Sequence, residues 1–384
     1  MTEQKPPIVH LITPYLFLTG SWVYSQLVGI QRYQSVVFTQ RKENLSLFPL
    51  DNVHSPEDFN FLKRTSNLVY RRLSDQYGLH FGGLARKINP VLFHGHMGFE
   101  AVRWLRFVRK IDRPMIATFY GLDVSSLSRI PEWRRRYKAL FDYGSLFLAE
   151  GSHLKKQLAD LGCPPEKIIV QHLGVAVDRY PNKTTEKVRR DDGIVILQVS
   201  TFREKKGIKY SLEAIARVVR ENPRVEFRLI GKGDTREADA ANRDDVARLG
   251  IEKHVQLLGS KNHAETIQEM LHADIFLHPS VTASDGDNEG GAPVGVIEAS
   301  AIGVPVVSTF HADIPEVVIH EESGYLVPER DSEKLAERLL ELIASPRKRD
   351  SFGERGRQHI REEYNISNQV QKLEQIYRRV LDGR

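Results

Sequence analysis

Short apolar runs alternate with amphipathic stretches along most of the chain. In the second half, residues 194–199 (IVILQV) are apolar almost throughout, as in a buried strand, and apolar positions then recur at helical spacing from Ile208 to Val219. Asn222 and Pro223 end that helix. Further strand candidates follow in VEFRLIG, VQLLG, DIFLHPS and PVVST. Because helices that connect parallel strands cover both faces of a sheet, the pattern predicts a doubly wound α/β fold.

The first half repeats this alternation. Its strand candidates are IVHLITP, SVVFTQ, VLFHGH, PMIATFYG, GSLFLAE and KIIVQHL. A polar linker at 181–193 separates a first Rossmann-like domain, predicted over 1–183, from a second over 190–365. The chain after residue 330 has a helical pattern throughout, and its last helix, over 366–384, could pack back on the first domain. Two such domains would face a central cleft, with ligands at the carboxyl ends of the strands.

The charge is unevenly distributed along the chain. Residues 1–183 hold 25 Lys and Arg against 15 Asp and Glu, whereas residues 184–384 hold 30 against 35. A basic first half suggests contact with an anionic ligand or an anionic membrane surface. No nucleic-acid-binding motif accompanies the charge, so no nucleic acid partner is expected. One cysteine, no zinc-type spacing, no signal peptide and no membrane-spanning apolar run predict a cytoplasmic protein, soluble or peripheral at the membrane.

The segment EGGAPVGVIEASAIGVPVVST (289–309) carries the clearest chemical signal. Pro293 fits the first position of a helix that ends at Gly303, so the backbone N–H groups from Gly290 onward should be free at the positive end of the helix dipole. Such a turn is a phosphate site, and its glycines let a ligand approach the backbone closely. An ordinary solvated turn is the alternative interpretation.

Two glutamates flank this turn. Glu298 should lie about 7–8 Å beyond the helix start, at ~1.5 Å per residue. That is about the reach from a diphosphate to the ribose of a nucleotide, whose two hydroxyls a carboxylate can accept. Glu289, on the loop before the helix, could bind hydroxyls of a sugar beyond the phosphates. The alternative for each is a glutamate on a solvated face.

A second anion-binding turn follows the strand at 194–199. In STFREKKGIKY, Arg203, Lys205 and Lys206 precede Gly207, where the next helix opens. Lysines at the mouth of a strand–helix turn suit a diphosphate, although a solvated basic loop is the alternative. Two phosphate-suited turns in one domain favour nucleotide binding.

These pieces, in this order, resemble the family-4 retaining glycosyltransferases of the GT-B fold. The likeness rests on the turn at Lys206, RLIGKGD, HPS, the segment from Glu289 through PVVST and GYLVPERDSEKL, and in the first half on FHGHMG, TFYGLD and HLGVAVDRY. It covers nearly the whole chain. Within the family, the chain looks like the bacterial polysaccharide branch, which builds exopolysaccharide, capsule or lipopolysaccharide.

The resemblance implies a role for each candidate residue. Glu298 would bind the ribose, Glu289 with the backbone of Gly290 and Gly291 would hold the donor sugar, and Lys206 would neutralise the diphosphate. The leaving phosphate itself would help to deprotonate the acceptor. No metal, other cofactor or dedicated protein base is therefore expected.

The second half departs from the family pattern at two places. Eight residues separate Glu289 from Glu298, where the family has seven, and a one-residue bulge before Pro293 could absorb the difference. Thr201 stands where the family has an arginine five residues before the lysine, and Arg203 could substitute for it in binding the substrate.

The first half carries the remaining candidates. Tyr120 stands where the family has a histidine that contacts the sugar near the reacting carbon, which puts the usual reaction geometry in doubt. Asp123 of the same motif is retained and is the third catalytic candidate, beside Glu289 and Lys206. Gly20 and Ser21 follow the first strand, where the family's loop contacts the substrate, although a turn with an N-cap serine explains them equally well.

Three further features have two interpretations each. Asp285 and Asp287 resemble a metal-binding pair, but they lie in a polar loop beside a phosphate site, so no metal is expected. His94 and His96 could face the cleft as ligands, or be buried and hydrogen-bonded. The helix PEWRRRYKALFDY (131–143) could dock on anionic lipid headgroups with its basic surface, or pack its aromatic face in the core.

The predicted function is retaining transfer of a hexose from a nucleotide diphospho-sugar to a glycan or a lipid-linked oligosaccharide in cell-surface polysaccharide synthesis. Two alternatives stay open. One is a nucleotide-sugar-binding protein with lost or altered catalysis, which the Tyr120 and Thr201 departures favour. The other is a GT-B enzyme that isomerises the nucleotide sugar, and it would need a general acid or base near the sugar.

Overall fold

The computed structural model describes residues 5–17, 20–183 and 193–383. The chain forms two compact units, one from Met1–Gly174 with Ile366–Arg384 and the other from Val175–Asn365.

The first unit is built on a seven-stranded parallel sheet. Its strands are β1 (Pro7–Leu11), β2 (Gln34–Phe38), β3 (Val53–His54), β4 (Leu92–His96), β5 (Met115–Phe119), β6 (Leu146–Ala149) and β7 (Ile168–Val170). They are ordered β3-β2-β1-β4-β5-β6-β7 across the sheet, and every pair is parallel. All but β3 overlap the predicted apolar runs, and β1 and β2 begin one residue before theirs. Two residues are too few to give β3 a periodic signal.

In the described residues of this unit, seven α-helices lie between the strands. They are α1 (Ser21–Gly29), α2 (Phe61–Ser74), α3 (Gly82–Ile88), α4 (Gly98–Ile111), α5 (Leu122–Ser125), α6 (Pro131–Tyr143) and α7 (Ser152–Asp160). One large core joins the sheet to α4 and α6, with the fully buried Trp104 and Phe93 among its members. The sheet is therefore covered on that face, as the parallel topology requires.

Helix α6 is amphipathic as predicted, and its aromatic face packs in the core. Tyr137, Leu140 and Phe141 belong to the same core as Trp104 and are shielded from solvent. The core-packing interpretation is therefore right for the aromatic face, and docking of the basic surface of α6 on anionic lipid stays a prediction.

The second unit is built on a six-stranded parallel sheet. Its strands are β8 (Ile194–Val199), β9 (Val225–Ile230), β10 (Val255–Gly259), β11 (Ile275–His278), β12 (Val306–Thr309) and β13 (Gly324–Val327). They are ordered β10-β9-β8-β11-β12-β13. The helices are α8 (Ile208–Glu221), α9 (Arg236–Leu249), α10 (His263–His272), α11 (Val294–Ile302), α12 (Ile314–Val317), α13 (Ser332–Ala344) and α14 (Pro346–Glu363). Only β13 was not predicted as a strand.

The last helix, α15 (Ile366–Leu381), belongs to the first unit. Its apolar face, with Leu373 and Tyr377, packs in a core with Ile8 of β1 and Leu92 of β4. The C-terminal end of the chain therefore completes a domain that the first half begins.

The boundary between the units differs from the predicted one. Residues 175–183, predicted as part of the first domain, cluster with the second unit. The Val175 N–H donates to the Tyr364 carbonyl at 2.8 Å, and the Lys183 N–H donates to the Ile302 carbonyl at 3.0 Å. The polar composition of this segment predicted a linker, whereas these backbone hydrogen bonds attach residues 175–183 to the second unit. The rest of the predicted linker, 184–192, lies outside the described residues.

No helix in the described ranges combines the length and the apolar character that a membrane crossing requires.

Candidate active site

The site in the second unit lies where its strand order reverses, between the neighbouring strands β8 and β11. In open α/β sheets, ligands bind at the carboxyl ends of such strands. Lys206 lies in the turn after β8, and Ser280 lies in the loop after β11. Gly207, with a φ of 63°, joins these loops so closely that a Cβ there would lie 1.8 Å from the Pro279 carbonyl oxygen. Only glycine allows this approach.

An ion pair between Lys206 and Glu289 lies at this reversal of the strand order. The Lys206 Nζ lies 2.6 Å from one carboxylate oxygen of Glu289 and 2.9 Å from the other, and the Ser280 hydroxyl donates to Glu289 at 2.6 Å. Both charged side chains are largely shielded, at 16% and 5% exposure. The structure thus brings together the lysine predicted for the diphosphate and the glutamate predicted for the sugar.

Several groups fix the charge and the orientation of Glu289. Burial alone would raise the pKa of its carboxyl, but Lys206, His278 and Lys205 together outweigh burial and hold that pKa well below its usual range. The Glu289 N–H donates to His311 Nε2 at 3.2 Å, and His311 Nδ1 then donates to Glu329 at 2.7 Å. Glu289 is therefore an ionised acceptor in a fixed position. The sequence analysis did not predict these histidines or Glu329.

Helix α11 begins one residue later than predicted. Pro293 is its N-cap residue and Val294 is the first helical residue. The helix ends at Ile302, and Gly303 follows in the left-handed conformation, as predicted.

The turn before α11 offers fewer free donors than expected. The Gly290 N–H, expected to be free, donates to the side-chain oxygen of Asn288 at 2.9 Å, and Gly290 itself has a φ of 75°. Within the described part of the chain, the N–H groups of Gly291 and Ala292 have no protein acceptor. These two groups, at the positive end of the helix dipole, are suited to bind an anion.

Glu298 lies in the middle of α11 and is buried, with 7% of its surface exposed. The Tyr180 hydroxyl donates to its Oε1 at 3.0 Å, and His263 Nε2 lies 2.8 Å from the same oxygen. The hydrogen bond to Glu298 raises the pKa of His263, although burial opposes the shift. Within the described residues, the second carboxylate oxygen of Glu298 makes no hydrogen bond to protein, so it can accept one from a ligand.

The basic residues of the turn after β8 have separate partners. Arg203, the expected substitute for the family's arginine, donates to Asp234 at 2.7 Å, and both side chains are about half exposed. Thr201 is exposed, and its carbonyl accepts the Arg203 N–H at 2.9 Å. An exposed ion pair such as Arg203–Asp234 contributes little to the stability of the fold. The Arg203 carbonyl accepts the Lys206 N–H at 3.0 Å, but among the described residues the Arg203 guanidinium makes no hydrogen bond or ion pair with Glu289.

Lys205 neutralises one of the two aspartates considered for metal binding. Its Nζ lies 3.1 Å from Asp287, and both side chains are largely buried. The Asp287 N–H also donates to Asp285 at 2.8 Å. The loop aspartates are thus part of a hydrogen-bonded turn beside the site.

The first unit reverses its strand order between β1 and β4, and a second candidate site lies there. A cavity of about 100 Å³ opens at this point, with Gly20, Glu100 and Tyr120 among its lining residues. Ser21 opens helix α1, but Gly20 is the cap residue and no side chain caps the helix. The N-cap serine alternative is therefore wrong.

Tyr120 is held by two buried histidines. Its hydroxyl lies 2.8 Å from His96 Nδ1, and His96 Nε2 lies 3.1 Å from His10 Nδ1. Burial lowers the pKa of both histidines, so both are neutral. His10 Nε2 is buried without a partner among the described residues, so a hydrogen there would have no acceptor. The tautomer of lower free energy therefore carries the hydrogen on Nδ1, which faces His96. His10 then donates to His96, and His96 donates to Tyr120.

His94 lies beside this pair, and the three histidines are close enough to hold a metal ion. Both nitrogens of His94 already lie in hydrogen bonds, with the Tyr377 hydroxyl at 2.8 Å and the Thr118 hydroxyl at 2.7 Å. Five of the six ring nitrogens of the group are thus engaged with protein. We interpret the group as a hydrogen-bonded network, which was the second interpretation offered for His94 and His96.

Asp123 is fully buried, and backbone donors surround its carboxylate. The N–H groups of Gly98, Tyr120 and Gly121 donate to it at 2.8, 3.1 and 2.9 Å. Burial raises its pKa, although these hydrogen bonds oppose the shift. The geometry favours a positioning role for Asp123, as the anchor of the turn that carries Tyr120, over the catalytic role suggested for it.

Glu100 is a lining residue that the sequence analysis missed. It lies in the first turn of α4 and is 2% exposed. Burial raises the pKa of its carboxyl to about 7, with Arg103, 3.3 Å away, opposing the shift. The only sequence signal was its position two residues after Gly98, which closes the FHGHMG motif.

Two Rossmann-like units with these topologies define the architecture of a GT-B glycosyltransferase. A solved structure of this fold, Anabaena HepE in complex with UDP and glucose, aligns with a TM-score of 0.78 over 96% of this chain and 98% of that chain, at 18% identity. The alignment establishes the fold.

The model of the family described as "Glycosyl transferases group 1" matches residues 181–359. The amylovoran biosynthesis glycosyltransferase AmsK of Erwinia amylovora is 34% identical over 65% of this chain and 61% of its own length. A protein of Escherichia coli K12, provisionally named colanic acid biosynthesis glycosyltransferase WcaL, is 34% identical over 67% of this chain and 63% of its own. Residues 181–359 thus match the group 1 glycosyl transferases, and the chain spans less than two thirds of the length of these two relatives.

Proposed function

We propose that this protein transfers a hexose from a nucleotide diphospho-sugar to a glycan or a lipid-linked oligosaccharide in the synthesis of a cell-surface polysaccharide, with retention of anomeric configuration. The Lys206–Glu289 ion pair at the strand reversal of the second unit is the observation that carries the proposal. It sets one cation and one ionised acceptor side by side at the place where open α/β sheets bind nucleotides.

Each group around this ion pair would bind a different part of a nucleotide diphospho-sugar. The N–H groups of Gly291 and Ala292 and the Lys206 ammonium would stabilise the diphosphate. Glu298, with one oxygen not bonded to protein, would accept from the ribose hydroxyls. Glu289 would accept from hydroxyls of the donor sugar.

The reaction breaks the bond between the anomeric carbon and the diphosphate oxygen and forms one to an acceptor hydroxyl oxygen. The acceptor proton passes to the leaving diphosphate, so the protein need not supply a base. Lys206 and the amino end of α11 lower the barrier by stabilising the charge that develops on the diphosphate. Because these groups supply the positive charge, the proposal requires no metal ion.

The relatives support the choice of product. AmsK is named for amylovoran biosynthesis, and WcaL for colanic acid biosynthesis. HepE was solved with UDP and glucose, which is consistent with a nucleotide-sugar donor. A lipid-linked acceptor would place the enzyme at the inner face of the membrane as a peripheral protein.

A thermal-shift screen of the full chain tests the proposal. UDP- and GDP-sugars, with the corresponding nucleoside diphosphates, are compared with free hexoses. A ligand that binds only the native state raises the unfolding temperature, so at least one nucleotide sugar should do so and free hexoses should not. Protection by none of the nucleotides in a broad panel would refute the proposed donor class.

Tyr120 favours one alternative, a nucleotide-sugar-binding protein with altered catalysis. Its hydroxyl is fixed by His96 at the position where the family has a histidine. Binding of a nucleotide sugar with no transfer to any glycan acceptor would support this alternative. Consumption of the donor in the absence of acceptor would instead indicate hydrolysis or isomerisation.

A further inference from the structure

Helix α2 has its apolar side chains on the outside. Leu62, Val69 and Leu73 recur at spacings of seven and four residues, which places them on one face, and their exposed fractions are 76%, 49% and 84%. Phe61, at the helix start, is 80% exposed. The one fully buried side chain of the helix is the polar Asn67, whose amide donates to Gln40 at 3.0 Å. The helix therefore packs on its unit through a polar contact.

This arrangement reverses the usual orientation of a surface helix. Amphipathic helices of globular proteins normally turn their apolar stripe toward the core. Here Asn60 caps the helix by accepting the Lys63 N–H at 3.0 Å, and Asp75 ends it in the left-handed conformation. Since both helix ends are defined in this way, the outward apolar face belongs to a well-formed helix.

The charged side chains on the helix itself are all positive. Helix α2 carries Lys63, Arg64, Arg71 and Arg72 and no acidic residue. Lys63, Arg64 and Arg72 are exposed. A partner that accepts both the apolar side chains and this charge must present apolar material beneath an anionic surface.

A basic cleft of about 760 Å³ continues the positive surface. Tyr70 of α2 forms part of its wall, together with Arg86, Arg106, Lys110 and Arg113. These four basic side chains are exposed, and no acidic side chain is among the described residues that line the cleft. Anionic headgroups could enter it while the apolar face of α2 lies in the acyl boundary.

We propose that α2, with the adjoining basic cleft, is the surface through which the protein docks on an anionic lipid bilayer. The apolar face supplies insertion, and the basic residues supply attraction to the headgroups. This surface differs from α6, whose aromatic face is in the core and which offers only its basic side chains. The inference deepens the proposed function by placing the enzyme where a lipid-linked acceptor lies, but lipid binding is measured without donor or acceptor. It can therefore fail independently of the transferase activity.

The experiment is co-flotation of the full chain with vesicles of equal parts phosphatidylglycerol and phosphatidylcholine, compared with phosphatidylcholine alone. The parent should float with the anionic vesicles at low salt and less as the salt concentration rises. The double substitution Leu62→Ser, Leu73→Ser should weaken partitioning into the anionic vesicles at least about tenfold. The double substitution Arg64→Gln, Arg72→Gln removes two positive charges. It should weaken partitioning roughly twentyfold, since each charge changes the partition coefficient by about a factor of five.

The matched control is Leu47→Ser, because Leu47 is 59% exposed in the same unit but lies outside α2. It should bind like the parent. All variants should keep the parent's unfolding temperature, since the changed side chains are exposed. No binding by the parent, or equal binding by the α2 variants, would overturn the proposal. A dimer that forms with rising concentration and dissociates in the Leu62→Ser, Leu73→Ser variant would assign the face to a second copy of the chain instead.

Discussion

The Nζ of Lys206 lies 2.6 Å from a carboxylate oxygen of Glu289, 83 residues away in sequence, and both side chains are largely buried. A buried ion pair is costly to break, because the remaining partner keeps its charge away from water. This single contact therefore links the stability of the second unit to its proposed chemistry.

Replacing the lysine, Lys206→Met, should destabilise the protein by about 2–4 kcal/mol, since the Glu289 carboxylate loses its counter-charge. Adding Glu289→Gln should restore part of the loss, because the amide carries no charge. Urea unfolding at neutral pH measures both effects. Lys334→Met is the control, because that lysine pairs with Glu337 on the surface, and it should cause no measurable change. Equal unfolding midpoints for the two lysine variants would show that the buried pair contributes nothing.

Glu298→Ala should weaken binding of the nucleoside diphosphate by roughly 1–3 kcal/mol, through loss of hydrogen bonds to the ribose. Isothermal titration with the nucleotide that gives the largest thermal shift measures this. Glu333→Ala, at an exposed position on α13, is the control and should bind like the parent. Titration with the corresponding 2′-deoxy nucleotide should show a smaller difference between Glu298→Ala and the parent. An equal difference with both nucleotides would argue against ribose contact.

Tyr120→Phe should cost about 1–3 kcal/mol of stability, because the buried His96 Nδ1–H loses its acceptor. It should also lower the rate of sugar transfer while leaving nucleoside diphosphate affinity unchanged, since the proposed nucleotide groups lie in the other unit. Tyr33→Phe is a suitable control. Tyr33 is buried in the same unit, and its hydroxyl makes no hydrogen bond within the described residues. A Tyr120→Phe enzyme with full transfer rate would remove Tyr120 from the reaction.

Glu100 should make stability depend on pH. Its folded pKa, about 7, lies above the ordinary value of 4.5, so the folded state binds the proton more tightly than the unfolded state. Stability is therefore lost as the pH rises between these two values, by up to about 3 kcal/mol. Glu100→Gln should flatten this loss, as measured by urea unfolding at about pH 5 and about pH 8. The exposed Glu132→Gln should leave the parent's pH dependence intact, and a Glu100→Gln profile equal to the parent's would contradict the prediction.

The apolar runs predicted most strands because the inner strands of a parallel sheet are buried on both faces. The two missed strands show the limit of this signal. β3 has two residues, and β13 (GYLV) is a four-residue run that was considered only as part of a longer motif. Neither has the length from which a period can be identified.

The candidate site was predictable where a residue acts through its position along one element. Gly303 and Glu298 follow from the geometry of a single helix, whose start was predicted to within one residue at Pro293. His311 and Glu329 could not be found in this way, because they reach Glu289 through different loops. The Gly290 N–H was expected to be free for a related reason, since the position of the Asn288 side chain is not a helical property.

The sequence by itself determined the α/β class, the parallel sheets and the positions of the phosphate-suited turns, because these depend on local periodicity and on the conformations open to glycine and proline. Only the tertiary structure decided which faces are buried and which charges meet. Helices α2 and α6 are both amphipathic, yet α6 packs its aromatic face in the core and α2 leaves its leucines exposed. Burial is a property of two surfaces in contact, and those surfaces come from segments far apart in the chain.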